Sequence, residues 1–152
     1  MKKKVLLIGG SGFIGAHLCK ALVNLDKEIT VLSKNIDNIK KLGFGGKIKL
    51  IKGDVADYGI VTECVKGQDV IINLASIVNH GSSFDPYRDL SVNCKGQINV
   101  LEARRKTNKD SKYIFFGTRS QFGIVEKPHQ PVKEGCCQRP ISLYGINKQA
   151  AE

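Results

Sequence analysis

The stretch VLLIGGSGFIG, Val5 to Gly15, decides the fold. Val5 to Ile8 is a short, continuous apolar run of the kind that forms a strand buried on both faces of a parallel sheet. Glycines at positions 9, 12 and 15 follow at once. They open a segment of helical period, Phe13 to Leu25, whose apolar stripe is expected at Ile14, Leu18, Ala21, Leu22 and Leu25. A tight turn without side chains, ending at a positive helix terminus with free N–H groups, is what main chain needs to approach a diphosphate closely. Glycines in a loop mean little by themselves. Between a buried strand and an amphipathic helix they occupy the setting that the dinucleotide fingerprint requires.

Outward from this stretch the rhythm repeats. Strands are expected at Glu28 to Leu32, at Lys47 to Ile51, whose alternating charge suits a sheet edge, and at Asp69 to Asn73. Helical segments run over Ile36 to Leu42 and Tyr58 to Lys66. Asp85-Pro86 supplies an N-cap and an N1 proline for a helix reaching about Lys106, with Leu90, Cys94, Ile98 and Leu101 inward. A fifth strand, Lys112 to Phe116, leads into a long loop from Gly117 to Arg139. Pro140 and Ser142 open a last helix. Strands joined by helical crossovers imply a parallel, doubly wound α/β sheet, a Rossmann fold in three αβα layers. Ligands of such sheets bind at the carboxyl ends of the strands.

With 152 residues and 41% hydrophobic content, residues 1–152 are read as one domain. Lys and Arg number 24 against 14 Asp and Glu, a formal +10 that favours an anionic partner. The opening MKKKVLLIGG has too short an apolar run for a secretory signal, and no run is long enough to span a membrane. Cys19, Cys64, Cys94, Cys136 and Cys137 form no C-x-x-C pair, so reduced thiols, no metal and a cytoplasmic location are expected. No nucleic-acid module accompanies the lysines.

The loop's spacing is G-x-x-G-x-x-G, and with Phe13-Ile14 it resembles the GGxGFIG loop of the extended short-chain dehydrogenase/reductase family of NAD-dependent epimerases and dehydratases. The resemblance implies cofactor contacts at Gly9, Gly12, Phe13, Ile14 and Gly15. Asp54-Val55 is similar to the family's adenine-contacting pair. Leu74-Ala75-Ser76 resembles the segment along the cofactor's central ribose and phosphates. Asn93, in SVNCKGQINVLEA, matches the asparagine of the family's N-V-x-G-T-x-N-L-L-E-A helix. At the end of the second strand, where an acidic residue would hold the ribose of NAD, this chain has Ser33-Lys34-Asn35. A hydroxyl beside a cation suits a 2′-phosphate, so NADP is favoured, with NAD the alternative if Asp37 takes the acidic role.

FFGTRSQFG, residues 115 to 123, is similar to the family's F-x-S-S-x-x-V-Y-G segment and gives Thr118 the place of the catalytic hydroxyl. Tyr144 and Lys148 supply the Y-x-x-x-K pair, one helical turn apart. A phenol, with a pKa near ~10, is a poor base at neutral pH unless a cation favours its phenolate. Lys148 would supply that field and bond the nicotinamide ribose. The implied reaction is hydride transfer at the carbon of a nucleotide-sugar. Gly117, Arg119 and Phe122 depart from the family pattern; Arg119, His80 and His129 are candidate substrate contacts, while His17 beside the glycine loop is expected to pack or face water.

The resemblance runs from Val5 to Glu152 but covers only the first half of the family architecture, so a C-terminal substrate domain is missing. A fragment of a longer enzyme, or a chain pairing with itself as a homo-oligomer, is expected. A non-catalytic dinucleotide-binding sensor is the competing reading, and Thr118, Tyr144 and Lys148 together speak against it.

Overall fold

The computed structural model describes residues 2–44, 46–78, 85–126 and 130–152, so His80 and His129 lie outside the described residues. Five strands, β1 (Lys4–Ile8), β2 (Glu28–Ser33), β3 (Ile48–Lys52), β4 (Val70–Asn73) and β5 (Lys112–Phe115), form one parallel sheet. Its order is β3-β2-β1-β4-β5, with β3 at an edge as its alternating charge requires. The order reverses between β1 and β4.

Period-two alternation along β1 sends its side chains into two cores. Val5 and Leu7 join Ile29, Val31, Cys19 and Ile39 on one face, beneath α1 (Phe13–Val23) and α2 (Asp37–Lys41). Leu6 and Ile8 join Ile71, Val61, Val65 and Val100 on the other, beneath α3 (Tyr58–Val65) and α5 (Gly96–Thr107). The result is the expected three-layer sandwich.

Two helix faces differ from the hydrophobic reading. In α1, Leu18 and Leu22 pack half-buried against the core as expected, but Ile14 and Ala21 are exposed, as is Leu25 just beyond the helix, and the fully buried positions are Gly15 and Cys19. Gly15 lies so close to Gly10 that a Cβ there would come within 2.4 Å of its Cα, so this side of the helix start rests directly on the glycine loop. The second case is the long helix, which runs through α4 (Pro86–Leu90), a π-helical turn (Ser91–Lys95) and α5. Its start is as expected, with Asp85 accepting from the Arg88 amide at 3.0 Å and Pro86 in the first turn. Its inward face is not. Leu90, Ile98 and Leu101 are exposed, Cys94 is half-buried, and the buried side chains are Asp89, Val92, Asn93, Gln97, Asn99, Val100 and Ala103. Amides occupy these positions because they bond the sheet and its loops. Gln97 Oε1 accepts from Asn73 Nδ2 at 2.9 Å and from the Tyr113 hydroxyl, and Asn99 Nδ2 donates to the Val55 carbonyl at 2.9 Å.

The last helix, α6 (Leu143–Ala151), is capped by Ser142, whose Oγ accepts from the Gly145 amide at 3.1 Å. It packs against α4 and the π turn. Tyr144 and Lys148 are thereby carried to the end of the sheet where β1 and β4 stop.

Candidate functional site

A cleft opens where the strand order reverses, the place at which a doubly wound sheet binds its ligands. It has two chambers, of about 290 Å³ and about 250 Å³, which share Gly9, Gly12, Leu74 and Ser76 in their walls. The first reaches across the ends of β2 and β3 to Lys34, Asp54 and Arg88. The second runs along the start of α1 to Phe116, Tyr144 and Lys148.

The glycine loop forms the floor between them. Gly9 has φ +78°, and a Cβ there would fall 2.7 Å from the Ala75 nitrogen and 2.8 Å from its Cα. Only glycine combines that backbone with that proximity. Gly12 takes the N-cap position of α1 without a side chain to cap it. The first-turn amides of Phe13, Ile14 and Gly15 therefore belong to residues of the chamber wall and have no acceptor among the described residues. A cradle that a Cβ would fill, beneath an uncapped helix start, fits a diphosphate. His17 lies to the side with its ring tilted on Phe13 at 4.6 Å.

At the first chamber's far end, the expected residues meet one that the sequence did not suggest. Ser33 is 6% exposed, and its Oγ accepts from the Ser11 amide at 3.2 Å and lies 2.9 Å from the Ser11 hydroxyl. It braces the glycine loop. Lys34 is exposed at the rim, and Asp37 is not part of the wall. Val55 is a core residue that also lines the chamber. Asp54 Oδ1 accepts from the Ala56 amide at 3.0 Å, and Oδ2 pairs with the Arg88 guanidinium. Burial works to raise the pKa of this carboxyl, but the Ala56 amide and Arg88 outweigh it and hold the group below its usual range. Arg88 stands 34 residues from Asp54 in the chain, so only its position in the first turn after Asp85-Pro86 hinted at its place.

In the second chamber Lys148 is 2% exposed. Its Nζ donates to the Phe116 carbonyl at 2.5 Å and sits 4.0 Å from the centroid of the Phe115 ring. Burial pushes its pKa down from 10.5 to about 8, partly opposed by Glu152. The Tyr144 hydroxyl lies 3.3 Å from Ser76 Oγ, which lies 3.0 Å from Asn93 Oδ1. Asn93 is clamped in one orientation, since its Oδ1 accepts from the Ile77 amide and its Nδ2 donates to the Ile77 carbonyl and to Asp89 Oδ1. Ser76 therefore spends its one proton on Asn93. The hydrogen between Ser76 and Tyr144 must come from the phenol.

Asn93 lies beneath the cleft instead of lining it, and is bonded to Ser76, which does line it. Behind it stands Asp89, 0% exposed, whose Oδ1 also accepts from Asn147 Nδ2 at 2.8 Å. Its Oδ2 has no partner among the described residues. Thr118 is differently placed. Its Oγ1 accepts from the Ser120 amide at 3.2 Å and caps a short 3-10 turn, Arg119–Phe122. Gly117 lines the chamber; Thr118 does not. The Arg119 guanidinium donates to the Gly123 carbonyl. Hydrogen-bonding preferences of threonine next to a turn, which a linear motif does not display, account for the difference.

Comparison with known proteins agrees with this architecture. UDP-glucose 4-epimerase of Lacticaseibacillus casei is 30% identical over 152 residues, covering 97% of this chain and 44% of that protein. Among solved structures, the UDP-Glc/GlcNAc 4-epimerase of Campylobacter jejuni superimposes with a TM-score of 0.86 at 26% identity, covering 98% of this chain and 46% of that one. The UDP-glucuronic acid 4-epimerase of Bacillus cereus, solved in complex with NAD, gives 0.81 at 26% identity, covering 97% and 50%. The chain spans about half the length of the curated relatives it matches. With a glycine cradle at the β1–β4 reversal, a Tyr-Lys helix beside it, and a family model matching residues 5–152, the chain belongs to the NAD dependent epimerase/dehydratase family.

Proposed function

We propose that the protein is an NADP- or NAD-dependent epimerase, dehydratase or reductase of nucleotide-sugars, and that residues 1–152 are its dinucleotide-binding domain. The observation that carries this reading is that Tyr144 and Lys148 line the same chamber as Gly9, Gly12 and Gly15. Phosphates would rest on the amides of Phe13, Ile14 and Gly15, with Leu74, Ala75 and Ser76 along the opposite wall. The bound nicotinamide supplies the hydride acceptor or donor.

The chain's own residues handle the proton. Tyr144 gives or takes it at the substrate oxygen, and the ammonium of Lys148, one turn along α6, favours the phenolate. Ser76 receives the phenol's hydrogen bond in the resting site. Thr118, adjacent to cleft-lining Gly117, donates to the substrate oxygen once its hydroxyl leaves the Ser120 amide. NADP is favoured because Ser33-Lys34-Asn35 offers a cation and no carboxylate at the end of β2. A cytoplasmic homo-oligomer is the assembly in which we place it.

Titration with NADPH and NADH, followed by turnover of UDP-, GDP-, CDP- and dTDP-sugars, tests the reading. Saturable dinucleotide binding is expected. Tyr144→Phe should keep it and lose turnover, and Thr118→Ala should lower kcat more than Ser76→Ala does. Turnover that survives in Tyr144→Phe, or no saturation by either dinucleotide, overturns the reading.

A further inference from the structure

The first chamber has an unusual charge arrangement at its far end. Two cations, Lys34 from the end of β2 and Arg88 from α4, face it together with Asp54, the one carboxylate among its described lining residues. That carboxylate is already engaged. Arg88 pairs with its Oδ2, both side chains being 28% exposed, and the Ala56 amide holds its Oδ1. The hydroxyl of Ser33 is likewise engaged with Ser11. The acceptors here are thus already engaged, whereas an anion would meet the ammonium of Lys34 and the remaining N–H groups of Arg88, both of which line the same chamber.

Building on the dinucleotide reading above, we propose that Arg88 is the specificity residue for a 2′-phosphate on the adenosine ribose: its guanidinium exchanges Asp54 for the phosphate, and Lys34 completes the clamp. The exchange is favourable because a planar fork meets a phosphate with two parallel charge-assisted bonds, and the phosphate carries more charge than the carboxylate it replaces. Asp54 keeps the Ala56 amide and the field of Lys34 after Arg88 departs. With an unphosphorylated ribose there is nothing to draw Arg88 away, and the ion pair stays closed. Asp54 and Arg88 thus oppose each other, one retaining the guanidinium and the other delivering it.

The test is equilibrium binding, read from nicotinamide fluorescence or calorimetry, of NADPH and NADH to the full chain and to Arg88→Gln, Lys34→Gln and Asp54→Asn. Losing a bond to a charged group should weaken NADPH roughly tenfold to a hundredfold in Arg88→Gln, with NADH nearly unchanged. Unchanged NADH binding also shows that the variant folds. Lys34→Gln, at an exposed position, should lower NADPH by a smaller factor. Asp54→Asn frees the guanidinium and should raise the NADPH-to-NADH preference. Equal loss of both dinucleotides in Arg88→Gln would mean that the guanidinium only covers the adenine, and would overturn the proposal. So would a fall in NADPH preference in Asp54→Asn. Tight NADH binding with no NADPH preference in the parent chain removes the role of Arg88 alone, whereas saturation by neither removes the site's reading as a whole.

Discussion

Replacing Lys148 by methionine should change stability in a strongly pH-dependent way. Lys148 is 2% exposed, and burial lowers the pKa of its ammonium from 10.5 to about 8. At about 1.4 kcal/mol per pH unit, that gap is worth roughly 3 kcal/mol against the folded state wherever both folded and unfolded chains are protonated. The penalty is fully present below about pH 8 and fades as the pH rises toward 10.5, because there the unfolded chain binds the proton that the folded chain has released. The parent should therefore gain stability relative to Lys148→Met across that window. Urea unfolding followed by far-UV circular dichroism at about pH 7 and about pH 10 measures the difference, which should move by roughly 2 to 3 kcal/mol in the parent's favour. Packing losses and the bond to the Phe116 carbonyl enter at both pH values and largely cancel. A difference that does not change with pH would refute the claim that this lysine is held as a desolvated cation.

Two further substitutions probe the scaffold. Gly9→Ala puts a methyl 2.7 Å from the Ala75 nitrogen at φ +78°, so thermal unfolding should show a loss of about 2 kcal/mol or more, with dinucleotide binding abolished. Asp89→Asn keeps an acceptor for Asn93 and Asn147 and should cost little in urea unfolding, whereas Asp89→Ala strands both amides and should cost about 3 kcal/mol. Equal effects of the two Asp89 variants would show that the carboxylate's bonds to these amides are unimportant.

The order of elements was legible because it rests on local signals. Val5 to Ile8 and Asp69 to Asn73 are apolar runs too short to be helices, and Asp85-Pro86 and Ser142 announce their helices through capping that the structure reproduces. The glycine loop was legible for the same reason, since its chemistry lies in adjacent residues. What escaped was long-range or polar. Apolar periodicity marked Leu90, Ile98 and Leu101 as inward, but the buried face of that helix is occupied by Asp89, Asn93, Gln97 and Asn99, whose partners lie on other elements. The Asp54–Arg88 pair joins segments that no motif links, and the direction of the Thr118 hydroxyl depends on a turn that begins after it.

Because Ser33 supports the glycine loop through Ser11, anyone retuning the proposed cofactor choice by protein engineering faces a coupling at that position. An aspartate introduced there to court an unphosphorylated ribose would also crowd the glycine loop that the proposed function assigns to the diphosphate. Among the described residues no side-chain hydrogen bond links Lys34 or Arg88 to that brace, which makes them the cleaner handles for redesign.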